Sequence, residues 1–308
     1  MRRDGLIKIV LTALFFVVLF SKLDIHELWD TLLSLNLRYL ILSMFFVPIL
    51  YIIRTYRWGV LLKSLGIDKS FVNLFRVLLI GVFYGLITPG RVGELVRAYY
   101  LDEKKSVTIS TILMEKLVDI FILSLLSIIT VISFFNKYPL FNYMILISAL
   151  VAILSTWILV NKKIIFILAK RFNIKYEDVE MHADSFSNLC KDRRAMSKTT
   201  LLALAYYLVN YILAILTLYS LGANAFIVVT LPLIILMGNI PITISGLGMR
   251  ESIGAICFVL MGGSEAEGVL FSLLLFFNIT LIPGVLGYLL TVLDEGVFGG
   301  NTAMDVIK

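Results

Sequence analysis

The chain has 308 residues, 60% of them hydrophobic and only 16% charged, with a mean hydropathy of +0.97. Soluble domains run to roughly 45–50% apolar residues, so this composition excludes an ordinary soluble fold and specifies a polytopic membrane protein. The net charge of +6 would suggest a nucleic-acid partner in a soluble chain; here the basic residues concentrate between apolar runs, as the positive-inside rule expects, and no nucleic-acid partner is expected.

Arg2, Arg3 and Lys8 stand before or within an apolar run that ends near Leu19. No small-residue cleavage pattern follows, so residues 6–22 read as a retained first membrane helix rather than a signal peptide. The stretch 24–36 has apolar residues at helical spacing but is too polar to span, and reads as a helix lying along the interface. Further spans are predicted over 39–53, 107–135, 139–161, 200–221 and 268–292.

Two more apolar stretches, 71–101 and 225–261, are each broken in the middle. The first break holds Thr88, Pro89, Gly90 and Gly93 with Arg91, Glu94 and Arg97; the second holds Pro241, Ser245, Gly246 and Gly248 with Arg250 and Glu251. Thr88 reads as a helix N-cap with Pro89 at the first helical position, so one helix stops there and another begins. Both stretches read as re-entrant helical hairpins that enter and leave on one side, their irregular backbone tolerated at depth because protein surrounds it.

With a cytoplasmic N-terminus, this scheme leaves only Lys22, Arg38 and Lys137 outside and Arg91, Arg97, Lys116 and Arg250 in the membrane. The remaining Lys and Arg, including Arg54, Arg57 and those of the basic segment 161–198, fall inside, and the tail 297–308 is cytoplasmic. Each half then contains two spans, a hairpin and a span: residues 1–135 and 136–296. The halves start on opposite sides, which makes an inverted-topology repeat with a central site between them.

The residues also resemble a known family. Thr88-Pro-Gly-Arg-Val-Gly-Glu94, Glu115-Lys-Leu-Val-Asp119 and Pro241 with Ser245-Gly-Leu-Gly-Met-Arg-Glu251, together with Arg57-Trp58, look like the motifs of the lysylphosphatidylglycerol synthase transmembrane-region, or flippase-like, family. The resemblance covers essentially the whole chain. It implies the lipid-translocating membrane region and not the separate soluble domain that makes aminoacylated lipid in multi-domain members. Lys116 departs from the arginine of many members; it keeps the charge but loses the bidentate fork.

Independently of the family, Arg91, Glu94, Arg97, Glu115, Lys116, Asp119, Arg250 and Glu251 are ionisable groups in apolar surroundings. Each costs about 2.5–3.5 kcal/mol at the bilayer centre, so they require partners. Four cations balance four anions. Arg91, Glu94 and Arg97 fall within a sector of about 120° on a helix after the break, and Glu115 and Asp119 share a face. Arg250, or an arginine of the first hairpin, is the natural partner for that acidic pair.

These residues suggest that Arg91, Arg97, Arg250 and Lys116 hold an anionic phospholipid or lipid-linked head group. Glu94, Glu115, Asp119 and Glu251 then orient the cations, exchange partners with substrate, or carry a proton. Trp29, Trp58, Tyr99 and Tyr100 read as interface anchors. A lipid translocase in the cell membrane is the favoured function, with membrane lipids as partners and both termini cytoplasmic. A secondary transporter of a small anionic solute is the alternative. A lipid-modifying enzyme is third, since no nucleophile motif or ligand-spaced metal set accompanies the acidic residues. Cys190 and Cys257, His26 and His182 lie far apart in sequence, so no metal and no cofactor are expected. Homo-oligomerisation is left open.

Overall fold

The computed structural model describes residues 25–88, 91–139, 141, 143, 145–146, 161, 176–240, 243 and 245–298. The predicted first span 6–22, most of 139–161, Pro89, Gly90, Pro241 and nearly all of the tail 297–308 lie outside the described residues. Among the described residues the chain is all-helical, with no strand.

In chain order the helices are α1 (Ile25–Leu33), α2 (Leu37–Met44), α3 (Phe46–Ser64), α4 (Phe71–Ile87), a 3-10 turn (Val92–Val96), α5 (Arg97–Tyr100) and α6 (Lys105–Thr130). They continue with α7 (Tyr176–Lys191), α8 (Arg193–Leu221), a 3-10 turn (Ala225–Thr230), α9 (Leu231–Gly238), α10 (Met249–Leu260), α11 (Glu265–Phe276) and α12 (Ile282–Phe298). Their starts are written in the sequence: the Asn36, Ser70 and Asp192 side chains accept from Arg38, Asn73 and Ala195 amides, and Ser264 with Glu267 forms a capping box.

Four continuous helical segments are long and apolar enough to cross a membrane: Leu37–Ser64, Lys105–Phe135, Arg193–Leu221 and Glu265–Leu293. At 28 to 31 residues each is about 42–46 Å long, well over the roughly 30 Å hydrocarbon thickness, so each tilts or projects beyond it. The first corrects a sequence expectation. The helix begun by the span predicted over 39–53 continues to Ser64, so Arg54 and Arg57 lie on a continuous helix rather than in a loop.

At both breaks the chain doubles back. Beyond Thr88, Gly93 presses on the Tyr84 carbonyl, Glu94 on Gly85 and Arg97 on Gly81, so the outgoing leg runs antiparallel beside α4. A Cβ at Gly93 would collide with that carbonyl, and any larger residue would force the legs apart. In the second break Gly246, at φ +76°, sits on the Gly238 carbonyl, and α10 returns beside α9. Helix α12 closes against α4, with Gly287 on the Leu79 carbonyl, while α3 packs on α8 and α6 on α9.

Helix α7 is amphipathic, is not one of the four long apolar segments, and docks on the Lys105 half of α6. His182 is buried on that contact, its Nδ1 2.6 Å from the Ser110 hydroxyl. Burial pushes the imidazole pKa below its usual value, against a smaller opposing effect of the Ser106 carbonyl. The docked state therefore favours neutral His182, and the undocked helix binds the extra proton. Docking should hold above the ordinary histidine range of about 6.5 and weaken as pH falls through it. Amide exchange in Tyr176–Lys191 should accelerate several-fold between pH 7.5 and 5.5, after correction for intrinsic rates, and that excess should vanish in His182→Gln.

Candidate functional site

Residues at helical spacing on α3 meet residues at helical spacing on α6. Arg54, Arg57, Trp58 and Leu61 occupy one face of α3; Thr111, Glu115 and Asp119 occupy one face of α6. The helices run antiparallel, so Trp58 Nε1 donates to Thr111 at 3.0 Å while Arg57 reaches the two carboxylates. Arg57 is 1% exposed and spends its whole fork there: Nε and Nη2 donate to Glu115 Oε1 at 3.2 and 2.9 Å, and Nη1 and Nη2 to Asp119 at 2.5 and 2.8 Å.

The first break inserts the other half of the network. Thr88 does not start a helix; it ends α4, its hydroxyl donating to the Tyr84 carbonyl at 2.7 Å and accepting from the Gly93 amide at 2.7 Å. Nor do Arg91, Glu94 and Arg97 share one helix. Arg91 is left-handed, at φ 56°, a tight 3-10 turn follows, and α5 begins only at Arg97. This sequence of conformations drives Glu94 into the protein, where its Oε2 accepts from Arg54 at 2.6 Å and Lys116 at 3.1 Å and lies 3.7 Å from Arg97. Arg97 donates to Glu115 at 3.0 Å and stacks over the Trp58 ring at 4.8 Å. Trp58 is thus fully buried scaffolding rather than an interface anchor, whereas Trp29 and Tyr99 are exposed.

The predicted charge balance changes accordingly. Of the two partners predicted for the acidic pair, an arginine of the first hairpin is the one found, Arg97 on Glu115; Arg250 instead contacts its own neighbour Glu251 at 3.4 Å and lies over Phe276 at 4.7 Å. Glu251 is buried and caps its own helix, accepting from the Gly248 amide at 2.6 Å. What remains is a cluster of five cations (Arg54, Arg57, Arg91, Arg97, Lys116) around three carboxylates (Glu94, Glu115, Asp119), a surplus of two positive charges among the described residues.

A cavity of about 200 Å³ opens on this cluster, lined by Arg54, Arg91, Glu94, Lys116 and Asp119, with Tyr206 and Tyr207 of α8 opposite. Its position follows from the helices. Glu115 is ten residues from the Lys105 end of α6 and Arg54 ten from the Ser64 end of α3, about 15 Å along the helix in each case. A smaller cavity of about 70 Å³ adjoins it, sharing Arg91, Tyr206, Ile235 and Asn239 and reaching Ser245 and Arg250. Arg91 Nη2 approaches the Thr280 hydroxyl at 3.5 Å. Thr280 lies in a π-helical turn, Phe277–Leu281, that also turns the Ile279 carbonyl to the Tyr51 hydroxyl at 2.7 Å. Such turns bulge a helix where side chains must be re-aimed.

The structure therefore brings Arg91, Glu94, Arg97, Glu115, Lys116 and Asp119 together, and sets Arg250 and Glu251 apart beside the second cavity. Sequence reading missed Arg54, and it quoted Arg57 only as part of a family motif without placing it in the site. The signal was available: no proline follows Pro48 before Ser64, and the two arginines sit three apart, on one helical face, as the acidic pair sits four apart. No cluster of metal-ligating side chains occurs among the described residues.

Comparison with known proteins places the chain in context. A family model described as the lysylphosphatidylglycerol synthase TM region matches residues 5–287. A UPF0104 membrane protein of Methanocaldococcus jannaschii is 24% identical over 92% of this chain and 93% of its own length. A second UPF0104 membrane protein, from Methanothermobacter thermautotrophicus, is 25% identical over 49% of this chain and 46% of its own. No solved structure matches.

Proposed function

The chain belongs to the lysylphosphatidylglycerol synthase TM region family, and from that premise we propose that it is a lipid translocase, carrying an anionic phospholipid or lipid-linked head group between leaflets. The observation that carries the reading is the surplus of two positive charges in an ion-pair cluster that lines a polar cavity inside the helical bundle. Buried charge left uncompensated costs several kcal/mol, and an anionic ligand that enters the cavity relieves that cost. The cavity of about 200 Å³ suits a head group whose acyl tails stay in the surrounding lipid. The cations nearest its opening are the less buried ones, Arg54, Arg91 and Lys116, whereas Arg57 and Arg97 are sealed beneath and hold the frame.

In this reading the two doubled-back segments are re-entrant hairpins of an inverted repeat, residues 1–135 and 136–296, with both termini cytoplasmic in the cell membrane. Glu94 is the switch: an entering phosphate competes for Arg54 and Lys116, and the carboxylate falls back on Arg91 and Arg97. Conformational exchange that exposes the cavity to either side then needs only a change of partners, with no carboxylate stranded. No catalytic chemistry is assigned to the site.

The test is transbilayer movement of head-group-labelled phosphatidylglycerol in proteoliposomes, with labelled phosphatidylcholine as the uncharged-net comparison. The expected result is anionic-lipid movement at least tenfold above protein-free vesicles and above the zwitterionic lipid. Failure to move any anionic lipid, with uptake of a labelled soluble anion by the same vesicles, would replace lipid translocation by small-anion transport.

A further inference from the structure

The smaller cavity has a character of its own. Arg91 and Arg250 both line it, and no carboxylate does among the described residues. Ser245 also lines it, 3% exposed, with its hydroxyl making no hydrogen bond. Six buried hydroxyls lack a partner among the described residues, and Ser245 is the one whose residue lines this cavity together with two arginines, where an incoming acceptor would satisfy it. The Arg91 Nε is likewise buried without a hydrogen bond, 3.4 Å from Glu94. Arg250 holds Glu251 only through contacts of 3.4 Å, since that carboxylate's short bond goes to the Gly248 amide.

Backbone conformation singles out the same two segments. Three non-glycine residues among those described have positive φ, and two of them are Arg91 at 56° and Ser245 at 52°. Such residues cost of order 1–3 kcal/mol each and persist where the surroundings hold them for a purpose. One comes from each break, and both face this one cavity.

We infer that the smaller cavity is a second anion site, built for a phosphate mono- or diester, and that Arg91 passes the anion between it and the charged cavity. Donor-bearing side chains from several elements line the smaller cavity: Arg91, Arg250, Ser245, Thr280 and Asn239. A tetrahedral phosphate offers oxygens in several directions, whereas a planar carboxylate offers two in one plane. The volume of about 70 Å³ is enough for a compact oxyanion. Arg91 is the shared wall of both cavities and is bound only at 3.4 and 3.5 Å, so it can follow the anion across. The inference deepens the proposed function and rests on it only for the claim that the phosphate belongs to a lipid.

The test is binding, with no transport step. Glycerol 1-phosphate, inorganic phosphate, acetate and dihexanoyl phosphatidylglycerol are titrated calorimetrically into the full chain in zwitterionic nanodiscs. Ser245→Ala should weaken glycerol 1-phosphate about tenfold, the loss of one hydrogen bond to a charged group, and leave acetate unchanged. As an independent readout, Ser245→Cys in a Cys190→Ser background is labelled with a small methanethiosulfonate; native Cys257 is buried. Glycerol 1-phosphate should slow labelling at least fivefold. Inorganic phosphate protecting as well as the ester would make the free ion the occupant, and the short-chain lipid protecting at lower concentration would make it the lipid; both uphold the site. A thiol that reacts equally with and without these probes, or Ser245→Ala with unchanged affinity, overturns it. A chain that moves no lipid yet shows protection loses only the proposed function, and one that moves lipid without protection loses only this site.

Discussion

Replacing Arg57 with methionine is expected to lower the melting temperature of the purified protein by roughly 10 °C, from a loss of about 3–5 kcal/mol. Arg57 makes four hydrogen bonds to Glu115 and Asp119 from a fully buried position. Without it Glu115 keeps Arg97 at 3.0 Å, while Asp119 loses its ion pair at the edge of the cavity. The cost is that of a stranded charge rather than of lost packing, since methionine fills much of the same space. Arg57→Met combined with Asp119→Leu should therefore recover most of the loss, a non-additivity that a simple packing defect would not show. Thermal melting followed by size exclusion checks it, and a single variant that melts with the wild type would remove Arg57 from the frame.

The helical class, the two breaks and the acidic pair were legible because each has a local signature. Spans follow from apolar run length, breaks from proline and glycine inside such runs, and the Glu115–Asp119 face from a four-residue spacing. Arg54 and Arg57 were lost because span prediction stops at charge. A helix whose arginines find their counter-ions on another helix looks, in one dimension, like a helix that has ended at residue 53. Only the facing carboxylates on α6, more than fifty residues away, show that the arginines are inside.

The partners of the other charges were beyond sequence reading, for a different reason. Sequence reading offered Arg250 or an arginine of the first hairpin to the Glu115–Asp119 pair, and the second is met by Arg97 on Glu115. In three dimensions Glu251 turns back on the Gly248 amide, a cap that the second break can form because Gly248 adopts φ 87°. Glu94 has no such cap, since Arg91 opens a 3-10 turn and carries the carboxylate inward. The same residue types therefore serve a helix end in one half and a charge network in the other. Thr88 shows the same effect on a smaller scale: its hydroxyl was read as the start of a helix and instead clamps the end of one against the returning amide of Gly93.

Arg54→Gln combined with Lys116→Gln is expected to reduce anionic-lipid movement at least a hundredfold while leaving the melting temperature within a few degrees of wild type. Both side chains bond the same oxygen of Glu94 and both line the charged cavity. Their loss removes the surplus of two, yet Glu94 retains Arg91 at 3.4 Å and Arg97 at 3.7 Å, and the glutamines still offer neutral donors. Mutual repulsion among five crowded cations falls, which offsets part of the lost ion-pair energy. Each charge-assisted hydrogen bond to the substrate is worth about 1.5–3 kcal/mol, so two together account for a factor of a hundred or more. The single variants should each lose about tenfold, and their effects should combine, because each donates to a different part of the head group. Arg57→Met acts in the opposite sense, losing stability first and transport only as a consequence. The two experiments thus separate the cations that hold the frame from those left over for the substrate, and a double glutamine variant that moves lipid at the wild-type rate would return all five to the frame.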